Sequence, residues 1–161
     1  DGRRGKKNGV KGSVVDDFGF PDQPMLEEMT VKALDVLSKD KNGFVLMVEA
    51  ASIDKQAHNM DTERWILDTI EFDNAIRVGQ SFAQKRGDTL VIITADHETG
   101  GMSVINGNLE DGMVEAKFST TGHSSVLVPV FAYGPGAEKF MGFYENTAIF
   151  EKMMNAFGIS H

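Results

Sequence analysis

The sequence predicts an α/β fold, and three observations carry the expectation. Two apolar runs, residues 44–48 (FVLMV) and 89–95 (TLVIITA), each break abruptly into charged residues, as strands covered on both faces of a mostly parallel sheet do. Helical periodicity fills the interval between them and also precedes the first run, which gives helices to flank the sheet and completes a βαβ unit. Parallel strands joined by a helix deliver their ends to one carboxyl edge, where open α/β sheets bind ligands. Glu49 and Asp96 stand at those two ends.

In chain order, residues 1–20 are rich in Gly and Lys, lack a sustained period and read as loop, with a short strand near Val14 and Val15. Pro21 and Pro24 punctuate the entry to a helix over 25–38, whose apolar stripe is Leu26, Met29, Ala33 and Leu37. Lys41, Asn42 and Gly43 turn it into the 44–48 strand. Asp61 or Thr62 caps a long helix reaching about Arg86, with Ile66, Ile70, Ile76 and Phe82 in its stripe and Trp65 and Phe72 alongside. Gly87 ends it, because the position after a helix favours a residue free to take positive φ. After the 89–95 strand, residues 102–118 read as a β excursion turning at Asn106, Gly107 and Asn108, and 120–125 as a polar loop around His123. Pro129 makes the apolar run 126–133 an edge strand or marks a strand start. A last helix over 145–157 carries Ile149, Phe150, Met153 and Phe157 on one side. No internal repeat or linker interrupts the pattern, so a single domain over 1–161 is expected.

With 161 residues, 41% apolar and 25% charged, the chain has the composition of an ordinary globular protein with a core. A net charge of −8 argues against a nucleic-acid partner, which would need clustered Lys and Arg. The one basic cluster, Arg3, Arg4, Lys6, Lys7 and Lys11, reads as a flexible arm, with a weak nucleic-acid or anion patch as the minor alternative. The absence of cysteine excludes disulfides, thiolate zinc sites and thiol nucleophiles. No stretch approaches the roughly 20 apolar residues of a membrane span, and the start lacks the apolar core of a signal peptide. Asp1 in place of Met points to a processed product or a portion of a longer protein.

Chemistry-bearing residues fall in three clusters: Glu49 with Asp54 and His58, Asp96 with His97, and His123. On one helical turn, Asp54 and His58 point the same way and can grip one ion. Adjacent Asp96 and His97 can both reach an ion where the backbone bends after a strand. Read singly, the first stretch also fits a surface turn, Glu49 an ion pair and His123 a surface histidine; at strand ends sharing one edge they favour a metal site.

These residues carry a family resemblance. VEAASIDKQAH over 48–58, TADHETGG over 94–101 and TGHSS over 121–125 together resemble the carboxyl-terminal half of alkaline phosphatases, over roughly residues 24–158. The resemblance implies an alkaline-phosphatase-like sheet, two zinc ions, one magnesium ion and hydrolysis of phosphate monoesters through a phosphoserine intermediate. It implies that Asp54, His58 and His123 ligate one zinc, that Asp96 and His97 ligate the second, and that Glu49 ligates magnesium. Lys55 matches a position where some members place a lysine that reaches the phosphate through water; a solvated lysine is its ordinary alternative.

One departure is large. No serine here follows an aspartate, whereas the family's nucleophile lies in an Asp-Ser-small motif in the amino-terminal part, with an arginine clamp, a further zinc aspartate and the remaining magnesium ligands. The chain is therefore expected to be a carboxyl-terminal portion, inactive alone, whose partner is the amino-terminal portion, with a homodimer left open. Periplasmic or secreted localisation is implied by the resemblance only. Another hydrolase of the superfamily, such as a phosphodiesterase or sulfatase, and a non-catalytic metal-binding domain are the competing readings.

Overall fold

The computed structural model describes residues 24–159; the loop expected over 1–20, its basic cluster, Pro21 and His161 lie outside the described residues. The elements are α1 (Leu26–Leu37), α2 (Ala51–His58), α3 (Thr62–Arg86), β1 (Val91–Thr94), β2 (Glu98–Thr99), β3 (Ser103–Asn108), β4 (Met113–Lys117), β5 (His123–Ser124), β6 (Val130–Tyr133), a 3₁₀ turn (Ala137–Phe140) and α4 (Ala148–Ala156). Helices and strands thus share the chain as an α/β fold requires. Two compact units emerge, residues 24–78 with Thr99–Ser124, and Gly79–Glu98 with residues 125–159.

α1, in the first unit, and α3, whose residues 79–86 belong to the second, form where periodicity places them, but their buried faces differ from the apolar stripes. On α1 the buried residues are Thr30 and Leu34, while Met29 is exposed. Thr30 tolerates burial because its hydroxyl donates to the Leu26 carbonyl at 2.7 Å. Asp61 caps α3, its Oδ1 accepting the Arg64 amide at 3.0 Å, and Gly87 closes the helix at φ 73° with its amide on the Ala83 carbonyl. The buried residues along α3 are Asp68, Glu71, Ala75 and Ala83, and Ile70 is exposed.

A carboxylate is buried there because a helix end needs it. The first amides of a helix have no partner within it. At α1, Glu28 Oε2 accepts the Met25 amide at 2.7 Å, and Glu71 Oε1 reaches over from α3 to accept the Glu27 amide at 3.3 Å.

Residues 43–50 carry the clearest correction. No strand forms at 44–48 among the described residues. The backbone leads into α2, with Phe44, Leu46 and Val48 half-buried and Val45 and Met47 exposed, Met47 by 83%. Continuous apolar character shows that two faces suit burial, but it does not by itself decide the backbone's hydrogen-bonding pattern, which is what defines a strand. The β excursion is the hairpin β3–β4, with a register shift between Val104 and Asn106. Its turn lies over 109–112 rather than at 106–108, because Asn108 Oδ1 accepts the Glu110 amide and Asn108 Nδ2 donates to Asp111.

In the second unit β1 pairs antiparallel with β6, Val91 opposite Tyr133 and Thr94 opposite Val130. The registers observed here and in the hairpin are antiparallel, so the parallel neighbour expected for the 89–95 run is not among them. β6 starts directly after Pro129, as the missing proline amide demands. No residue of α4 is buried, and Phe150 and Phe157 are exposed. Its Lys152 instead stands 4.4 Å from the Tyr144 ring centroid and 5.8 Å from that of buried Phe140.

Replacing the cross-helix cap is a direct test. Glu71→Ala leaves the Glu27 amide without this acceptor and is expected to cost about 1–3 kcal/mol in chemical unfolding. Glu71→Gln keeps an acceptor oxygen and should lose less; equal stability of all three proteins would show that the cap contributes nothing.

Candidate metal centre

The centre is built from α2 and the loop ending at His123. Gln56 and Ala57 are the buried residues of α2, which leaves Asp54, Lys55 and His58 on its more open side. One helical turn sets Asp54 and His58 in line. His123 arrives from a loop tied at Gly100 and, through the Ser119 hydroxyl on its carbonyl, at Gly101. The Gly100 amide donates to the Gly122 carbonyl at 3.0 Å, and the Gly100 carbonyl accepts the amides of Ser119 at 2.9 Å and Thr120 at 3.2 Å. Gly100 has φ +89°, and a Cβ there would stand 2.7 Å from Phe118 Cδ1 and 3.4 Å from the Ala57 carbonyl oxygen. Only glycine combines that backbone with that closeness to the Phe118 ring.

Three donor atoms converge as a result. His58 Nε2 lies 3.1 Å from His123 Nε2 and 3.2 Å from Asp54 Oδ1, and His123 Nε2 lies 3.5 Å from the same oxygen. Donors arranged tetrahedrally around zinc at its usual bond lengths stand about 3.3 Å apart. Two imidazoles and one carboxylate are also the donor types zinc prefers over calcium or magnesium. The residues present therefore fit a zinc ion.

Two of the donor residues have further hydrogen-bond partners. His58 Nδ1 lies 2.5 Å from the Thr121 carbonyl oxygen; a carbonyl only accepts, so Nδ1 carries the proton and the neutral ring keeps its Nε2 lone pair for the centre. Thr99 Oγ1 donates to Asp54 Oδ1 at 2.6 Å. The sequence held Thr99 inside the TADHETGG stretch and Thr121 inside TGHSS, but nothing in their residue types announced these bonds.

The remaining candidates are distributed differently. Asp96 and His97 belong to the other unit, their Oδ2 and Nε2 3.3 Å apart, with Asp96 85% exposed. They form a two-donor pair, and the only three-donor group found among the described residues is Asp54, His58 and His123. Glu49 is exposed at the end of the extended stretch and is not part of that group. Lys55 is exposed on α2.

An α/β scaffold carrying such a histidine–carboxylate donor group defines a class of metal-binding proteins, and comparison gives the family. The family described as alkaline phosphatase matches residues 13–117 and 113–159. This chain belongs to the alkaline phosphatase family. It is 35% identical over 152 residues to the alkaline phosphatase of Escherichia coli K12, covering 84% of this chain and 32% of that protein. It is 33% identical over 160 residues to the streptomycin-6-phosphate phosphatase of Streptomyces griseus, covering 84% of this chain and 36% of the relative. The structure of alkaline phosphatase from the Antarctic bacterium TAB5 superposes with a TM-score of 0.78 at 38% identity, over 88% of this chain and 45% of that one. A His 135 Glu mutant of the TAB5 enzyme is described with magnesium bound in its M3 site. The chain spans about a third of the length of these curated relatives.

Two outcomes check the geometry. Nitrogen-15 spectra of the metal-free protein should show neutral His58 protonated at Nδ1; an Nε2-protonated ring would contradict the Thr121 contact. Gly100→Ala, forced into a left-handed backbone against Phe118, should lose about 1–3 kcal/mol of stability, read by thermal unfolding, and an unchanged melting temperature would remove the glycine's special status.

Proposed function

We propose that the protein to which this chain belongs hydrolyses phosphate monoesters with two zinc ions and one magnesium ion, through a phosphoserine intermediate. The observation that carries the proposal is the convergence of Asp54, His58 and His123 at zinc-compatible spacing, in a chain of the alkaline phosphatase family. Asp54, His58 and His123 hold one zinc, Asp96 and His97 contribute to the second, and Glu49 contributes to magnesium. Zinc bound there supplies Lewis-acid stabilisation of the charge that builds on the entering and leaving oxygens.

The chain's own residues supply placement. His58 presents Nε2 because Thr121 holds its other nitrogen. His123 is presented by the loop tied to Gly100. Lys55, next to Asp54 on α2, offers an ammonium group to the phosphate. No serine follows an aspartate here, so the nucleophile comes from elsewhere in the whole protein and the 161 residues alone are inactive. Exposed apolar side chains such as Val45, Met47 and Leu127 support association with that other portion. Among the described residues no helix is long and apolar enough to cross a membrane; periplasmic or secreted localisation rests on the family.

Stripping metal from the full-length protein with a chelator should abolish p-nitrophenyl phosphate hydrolysis, and zinc with magnesium should restore it. His58→Ala should weaken zinc binding by more than the roughly 10–100-fold typical of losing an outer-shell partner. Activity that survives complete zinc removal would overturn the proposal.

A further inference from the structure

We infer that Thr99 is the positioning residue of Asp54, setting which lone pair of its carboxylate faces the two histidines; the inference rests on reading Asp54, His58 and His123 as a zinc centre. The Thr99 hydroxyl donates to Asp54 Oδ1 at 2.6 Å, and that same oxygen lies 3.2 Å from His58 Nε2 and 3.5 Å from His123 Nε2. An ionised carboxylate oxygen accepts through more than one lone pair. One is taken by the hydroxyl, which leaves another for the centre.

The hydroxyl is itself well placed to act as a fixed reference. Thr99 is half-buried and directly precedes Gly100, whose amide and carbonyl are both tied to the 119–122 loop. The stretch that fixes His123 therefore also fixes the donor to Asp54. Asp54 is half-exposed, so without the hydroxyl its carboxylate would be free to turn toward solvent and lose the aligned state. His58 has its orienting partner in the Thr121 carbonyl; Thr99 is the corresponding partner for the carboxylate. Partners of this kind typically change metal affinity 10–100-fold.

The test uses full-length protein freed of metal, with zinc affinity measured by competition against a chromogenic chelator. The signal is the zinc equivalent that Asp54→Asn weakens or removes. Thr99→Val keeps the shape and deletes the donor; about tenfold weaker binding is expected, while Thr99→Ser, which restores the hydroxyl, should return affinity to near that of the unmodified protein. Should the valine variant misfold, Thr99→Ala compared with Thr99→Ser supplies the same contrast. Valine binding as tightly as threonine, or serine as weakly as valine, would overturn the role of the hydroxyl while leaving the zinc reading intact. Asp54→Asn binding every zinc equivalent as tightly as the unmodified protein would overturn the zinc reading and the inference with it.

Discussion

The hydrogen bonds of Gly100 to the 119–122 loop are the constraint on which the centre depends. His58 and His123 are far apart in sequence, and nothing local holds them together. A backbone with no side chain lies against Phe118 and the Ala57 carbonyl, offering its amide to Gly122 and its carbonyl to Ser119 and Thr120. Because a backbone amide and carbonyl are obligatory hydrogen-bonding groups, satisfying them fixes the loop's path. The next residue along that path is His123, delivered beside a helix turn that already aligns Asp54 and His58. Thr99 and Thr121, at the two sides of this junction, then orient the carboxylate and the first imidazole.

A similar economy of polar groups governs the packing of the helices. The α1–α3 pair is organised less by an apolar stripe than by Glu71 reaching the start of α1. A buried carboxylate is costly unless it is hydrogen-bonded, and an unsatisfied helix amide is costly as well. Placing one against the other satisfies the amide and one oxygen of the carboxylate. Small Ala75 is buried one turn on from Glu71, whereas Ile70 is exposed. In the other unit, Lys152 against Tyr144 and Phe140 joins α4 to the 3₁₀ region, with the helix's phenylalanines left exposed. The exposed apolar residues fit a chain that represents about a third of its relatives' length.

Much of the local structure was legible without coordinates. The 3.6-residue period, Asp61 as cap and Gly87 as terminator delimit α3, because caps and terminators act through neighbouring atoms. Pro129 marks the start of β6 for the same reason. The three converging donors were also legible as candidates, since Asp54 and His58 differ by one helical turn and His123 stands in the distinctive TGHSS stretch. The hairpin turn was misread because Asn-Gly also suits a strand interior beside a register shift, while the Asn108 side chain organises the turn further on.

The sequence by itself determined the candidate metal ligands, the bounds of α3 and the family to which the chain belongs, all of which depend on side-chain chemistry and short spacings. Only the tertiary structure decided that His123 joins Asp54 and His58, that Thr99 bonds the carboxylate, that Glu71 is buried, and that residues 44–48 form no strand among the described residues. Each of those outcomes depends on which distant backbone donor or acceptor comes within about 3 Å, the reach of a hydrogen bond, and chain order does not encode that distance.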